Sequence, residues 1–145
     1  MTQEIALTES RTLRAQYANR TEALDKVKAL TLMPNTLFAS IDQTATYFEV
    51  HPDAIEKAIR VNRDELEGDG LEVLTGARLS AFKAESGLRT RAASFTLLPR
   101  RAILRVAMLL RDSAIARDVR THLLDTEEQA PRPIPQNYAA ALRAA

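Results

Sequence analysis

The sequence predicts a small α+β fold that is mainly helical, and three observations carry that expectation. Apolar residues recur at helical spacing in several stretches of about ten residues or more. Three short apolar or β-branched runs, TLFASI, LEVLTG and FTLLP, stand between them. Glycine and proline mark the junctions. With 145 residues, 46% hydrophobic and 27% charged, the chain has material for a core of its own and lies far from the composition of a disordered segment.

Taken in order, residues 1–18 are polar with scattered apolar positions, and Asn19 or Thr21 is placed to cap a helix in TEALDKVKAL. Ala23, Leu24, Val27 and Leu30 give that helix its apolar spacing, and Pro34 stops it. TLFASI, residues 36–41, reads as a strand, and Asp42 follows as the N-cap of a short helix through Phe48. Pro52 suits the first turn of the next helix, PDAIEKAIRVNRDEL, which would turn Ala54, Ile55, Ala58, Ile59 and Leu66 inward. Gly68, Asp69 and Gly70 end it and lead into the strand LEVLTG. ARLSAFKAES is a third short helix closed by Gly87, LRTRAAS a basic loop, and FTLLP the last strand. After Pro99, Ile103, Val106, Ala107 and Leu110 form one stripe, and Ile115, Val119, His122 and Leu123 form another out of phase with it. Two helices therefore meet near Arg111, with Asp112 or Ser113 capping the second. APRPIPQNY must be an extended linker, and NYAAALRAA a short helical tail. The organisation expected is an N-terminal arm and helix over 1–35, a main domain over 36–129, and a Pro-rich linker with a short tail over 130–145. The stop soon after that linker is what a chain with a further domain beyond Ala145 would show.

Composition narrows the function. The net charge of +1 gives no whole-molecule attraction to nucleic acid or acidic lipid, so a charge-driven partner must meet a local patch. Cysteine is absent, which removes disulfides, thiolate nucleophiles and Cys-ligated metals. There is no signal-peptide pattern at the start and no long apolar run, so a cytoplasmic protein without a membrane span is expected. His51 and His122 lack a second ligand at metal spacing, and no nucleophile elbow, phosphate loop or dinucleotide fingerprint occurs. A non-catalytic chain without metal or cofactor is expected. The acidic cluster Asp64, Glu65, Glu67, Asp69 and Glu72 lacks an EF-hand pattern and reads as a solvated turn.

The most specific local signal is the pair of helices on either side of Glu49, Val50 and His51, which has helix-turn-helix proportions. With the short strands and two C-terminal helices, it predicts a winged helix-turn-helix-like domain. The second helix of the pair would lie in a major groove, presenting His51, Lys57, Arg60 and Arg63. Residues 36–99 nonetheless hold seven basic residues against ten acidic ones. The positive charge comes later, where residues 88–120 hold eight arginines against Asp112 and Asp118. Arg89 and Arg91 on a wing, with Arg100 and Arg101 opening the next helix, would supply phosphate contacts.

Three segments, FASIDQTATYFEVHPDAIEKAIRVNRDEL, LLPRRAILRVAMLLRDSAIARDVRTHLLD and PIPQNYAAALR, resemble the amino-terminal DNA-binding domains of phage antirepressors and related BRO-type regulators, over residues 36–145. The opening NRTEALDKVKAL is also similar to a group of uncharacterised actinobacterial proteins. The antirepressor resemblance implies a transcriptional regulator on double-stranded DNA, often on a chain with a further domain, that controls the choice of lysis or lysogeny or an early phage programme. Because one helix-turn-helix reads only a short half-site, a homodimer is expected. The alternative is an accessory protein that docks on a phage or host protein, a repressor or a site-specific integrase, as recombination directionality factors do. Its anchors would be Tyr17, Tyr47, Phe82 and Tyr138.

Overall fold

A computed structural model describes residues 3–129. Helices α1 (Gln3–Glu9), α2 (Arg11–Gln16) and α3 (Glu22–Val27) come first. Strand β1 (Phe38–Ala39) leads into α4 (Ile41–Phe48), α5 (Pro52–Val61) and α6 (Arg63–Gly68). Strand β2 (Glu72–Thr75), α7 (Gly76–Ser86) and β3 (Ser94–Pro99) follow, then α8 (Arg100–Leu109) and α9 (Ala114–Gln129). The expected class, mainly helical with a little sheet, is the one found. The Pro-rich segment and the tail lie outside the described residues. Among those described, no helix is long and apolar enough to cross a membrane.

The sheet has the order β1-β3-β2 and is antiparallel throughout. Phe38 and Ala39 face Pro99 and Leu98, while Glu72 to Thr75 face Leu97 to Ser94. As the middle strand, β3 is covered on both faces, and its successive side chains point to opposite sides. Leu98 joins the main core of helices, whereas Leu97 joins a smaller cluster with Met33, Leu74 and Leu79 beneath α7. Gly70 turns the chain from α6 into β2 at φ 99°, and Gly87 closes α7 at φ 76°, both in the left-handed region where a side chain is strained.

α8 lies at the centre of the main core. Every residue from Ala102 to Met108 is buried, and the cluster around it draws Leu7, Leu24, Phe48, Ile55, Leu66 and Leu123 from elements along the whole described chain. A helix buried on all sides has to be apolar all round, yet this one carries Arg105. Two forks resolve the conflict. Arg105 donates through Nε to Asp69 Oδ2 at 2.6 Å and through Nη2 to Oδ1 at 2.9 Å, and its Nη1 reaches Glu65 Oε1 at 2.9 Å. Arg14 of α2 grips Glu65 from the other side, Nε to Oε1 at 2.7 Å and Nη2 to Oε2 at 2.9 Å. Arg101 adds a bond from Nε to Asp69 at 3.1 Å. A third buried arginine, Arg120 of α9, bonds Glu4 of α1 at 2.6 Å and the Ala107 and Leu110 carbonyls at 2.9 and 2.6 Å, so it caps α8 while tying down α1. Among the described residues no buried side-chain polar atom lacks a partner.

Four sequence expectations are corrected here. The polar opening forms α1 and α2 and belongs to the core, because its few inward positions include Leu7 and two groups, Glu4 and Arg14, that find buried partners. Ser40, not Asp42, caps α4, in a capping box with Gln43 at 3.0 Å in both directions. PDAIEKAIRVNRDEL breaks at Asn62 (φ −122°, ψ 35°) into α5 and α6. The acidic cluster is not uniformly solvated, since Glu65 and Asp69 are buried and paired.

Breaking a buried pair from one side leaves an uncompensated charge and costs about 3–5 kcal/mol. Arg105→Ala is therefore expected to lose about that much in urea denaturation at neutral pH. Burial alone would raise the Glu65 carboxyl, but the guanidiniums of Arg14, Arg105 and Arg11 outweigh it and hold the group below its ordinary value of 4.5. A depressed folded-state value contributes stability above the unfolded one and loses it as pH falls through the folded one. The protein should lose stability on acidification below pH 4.5, and Glu65→Gln should flatten that limb of the curve of urea midpoint against pH.

Candidate nucleic-acid interface

The surface singled out by the sequence is built on α4 and α5, which pack against each other across the turn at residues 49–51. That turn is held from two sides at the end of α4. The Lys28 ammonium, brought round where α3 stops short of the expected Pro34, donates to the Thr46 and Tyr47 carbonyls at 3.2 and 2.9 Å and to Glu49 at 3.1 Å. Ser113 donates to the Phe48 carbonyl at 2.7 Å while accepting from the Ala116 amide at 3.0 Å, so the cap of α9 also ties off α4. Tyr47 is buried and donates to the Leu24 carbonyl. Burial, then the Asp25 carboxylate, pushes its phenol up to about 12, which keeps the donor protonated. With α4 fixed, Glu49 takes the left-handed conformation at φ 59° that reverses the chain.

His51 then caps α5, its Nδ1 accepting from the Asp53 amide at 3.1 Å, and Pro52 occupies the first turn. Ile55 and Ile59 point into the core, at 0% and 4% exposure, and Ala54 and Ala58 flank them. The opposite face presents Asp53, Glu56, Lys57 and Arg60 to solvent. Neither Lys57 nor Arg60 forms an ion pair with a described residue. Arg63 opens α6 and, among the described residues, makes only a loose, exposed pair with Glu67 at 3.5 Å.

The remaining sequence candidates separate into two groups. Arg89 and Arg91 are exposed on the segment between α7 and β3, with no ion pair to a described residue. Arg100 and Arg101 are spoken for: Arg100 pairs with Asp25 and donates to the Thr21 carbonyl, and Arg101 bonds Asp69 and, at 2.7 Å, Asn19. Of the eight arginines in residues 88–120, Arg105 and Arg120 are buried, so the charge counted along the sequence overstates the field at the surface. Of the aromatic anchors expected for a protein partner, Tyr17 and Tyr47 are buried and Phe82 is half-buried, while Tyr138 lies outside the described residues. Among the described residues, no three or more acidic or histidine side chains are gathered to hold a metal ion.

The two faces of α5 should separate cleanly under mutation. Ile59→Ala is expected to cost about 2–5 kcal/mol, whereas Lys57→Ala and Arg60→Ala should each change stability by less than about 0.5 kcal/mol, all read by thermal and urea denaturation. No protein-family model, curated protein or solved structure matches the chain.

Proposed function

We propose that this protein is a regulator of transcription that binds double-stranded DNA through a winged helix-turn-helix, as its resemblance to phage antirepressor domains implies. The observation that carries the reading is the outward face of α5, where Lys57 and Arg60 stand exposed and without acidic partners among the described residues, on a helix whose other face is locked into the core. The topology supports it. β1, α4, α5, α6, β2, α7 and β3 occur in that order, and β2 and β3, neighbours in the sheet order β1-β3-β2 and joined through α7, would serve as the wing. His51 and Lys57, on the first turns of α5, face the base edges, and Arg89 and Arg91 hold phosphates from the wing. A homodimer lengthens the site beyond one half-site.

Four or so phosphate contacts would weaken binding roughly 100-fold between about 50 and 200 mM salt. Fluorescence anisotropy on duplexes selected from a randomised pool should show that dependence, and Lys57→Ala should relax the selected sequence at one position. Absence of binding at the lower salt would overturn the reading.

One observation favours a second reading, the accessory protein that docks on a repressor or an integrase. A groove of about 350 Å³ runs between α5 and the α8–α9 turn, floored by Val50, Ala54, Ala58 and Leu110, with Val61 67% exposed at its edge. A stoichiometric protein partner in crosslinked native extracts, lost on Val61→Asp, would support it.

A further inference from the structure

A second cleft, of about 310 Å³, opens where α5 gives way to α6, and its walls bring together arginines that are far apart in the sequence. Its floor is the Arg14–Glu65 fork. Arg14 spends its Nε and Nη2 on Glu65 and its Nη1 on the Leu7 and Thr8 carbonyls, at 3.0 and 3.2 Å. Both Glu65 oxygens are bonded to guanidinium groups. The floor is therefore rigid and fully bonded, and its network of Arg14, Arg101 and Arg105 against Glu65 and Asp69 leaves one positive charge over.

The rim is different. Arg11 of α2, Arg60 of α5 and Arg63 of α6 line the cleft with exposed side chains. Arg11 and Arg60 form no ion pair with a described residue, and Arg63 has only the 3.5 Å contact to Glu67, on the solvent side. Among the described residues, Asp64 is the one carboxylate on the rim. Three guanidiniums arriving from three helices over a floor whose carboxylate is already bonded on both oxygens suit a small oxyanion with several acceptor oxygens, a phosphate group, better than a planar carboxylate, which one fork already satisfies.

We propose that Arg11, Arg60 and Arg63 form a phosphate-binding cleft at the α5–α6 break. Resting on the DNA reading, its occupant is a backbone phosphate flanking the groove that α5 enters, and Arg60 and Arg63 then anchor the duplex instead of reading bases. The same chemistry would also take a free phosphate.

Arg11→Gln separates these cases. Arg11 is exposed, forms no ion pair with a described residue and makes the smallest contribution to holding Glu65 ionised, so the variant should fold and melt close to the wild type. In anisotropy titrations over a salt series, loss of one phosphate contact should make the slope of log affinity against log salt shallower by about 0.9, with equal loss on selected and scrambled duplexes. In parallel, inorganic phosphate is titrated without DNA while the arginine Nε resonances are followed by NMR. A shallower slope assigns the cleft to the DNA backbone. Wild-type protein that binds no DNA, but whose Arg11, Arg60 and Arg63 resonances move with phosphate, the Arg60 and Arg63 shifts being lost in Arg11→Gln, keeps the cleft as a free-phosphate site and removes the DNA reading. An unchanged slope with resonances indifferent to phosphate overturns the cleft and leaves the DNA reading standing.

Discussion

Arg105 is the constraint around which the molecule is arranged. Its neighbours on α8 are all buried, so the helix cannot be placed anywhere but in the middle, and a guanidinium placed there must bring its counter-charges with it. Glu65 and Asp69 do this because they stand four residues apart at the end of α6 and present their carboxylates to one side. Their positions in turn fix where α6 ends, and Arg14 recruits α2 to complete the Glu65 shell. The fork geometry limits how α2, α6 and α8 meet, since each guanidinium bonds in its own plane. A core of leucines alone would tolerate sliding; this one does not.

That arrangement reaches the candidate interface through α6. The break at Asn62 allows α5 to follow the α4 turn while α6 swings its carboxylates towards α8. The outward face of α5 is thus oriented by contacts on both sides of it, Lys28 and Ser113 at the end of α4, and the arginine network beyond Asn62. A reading surface needs such rigidity, because side chains that address base edges must be presented within a narrow range of position.

Much of this was legible from local pattern. Pro52 at the start of α5, Gly87 at the end of α7, Ser113 as the cap of α9 and the three short strands each follow from chemistry confined to a few residues. What was illegible is non-local. Glu65 and Asp69 sit among exposed acids, and nothing nearby distinguishes them; their partners are 32 to 51 residues away. The same holds for Arg14, one polar residue in a polar opening, and for Glu4, whose partner Arg120 is 116 residues along. Counting charge along the chain failed for this reason. It treats Arg105 and Arg120 as equal to Arg89 and Arg91, although the first two are buried and bonded and the last two meet solvent. Two departures had local cues: Ser40 and Gln43 have the spacing of a capping box, and Asn62 is a poor helix-interior residue whose side chain bonds back to the Ala58 carbonyl at 3.0 Å.

The mixed charge of α5 bears on how a DNA-binding surface of this kind would divide its labour. Asp53 and Glu56 lie on the same exposed face as Lys57 and Arg60, so α5 by itself offers a duplex little net attraction. Affinity would then have to come from cations off the reading face, of which Arg11, Arg89 and Arg91 are exposed without ion pairs to described residues. Carboxylates in a major groove are repelled by phosphates and by acceptor-bearing base edges, while they accept hydrogen bonds from the cytosine amino group. Acids on the helix thereby penalise wrong sequences more than they weaken the right one, which is how repulsive elements raise specificity. On this division of roles the near-neutral charge of the whole chain is compatible with sequence-selective binding, provided that the phosphate contacts lie beside α5 and at its C-terminal end, at Arg60, and not among Asp53, Glu56 and Lys57.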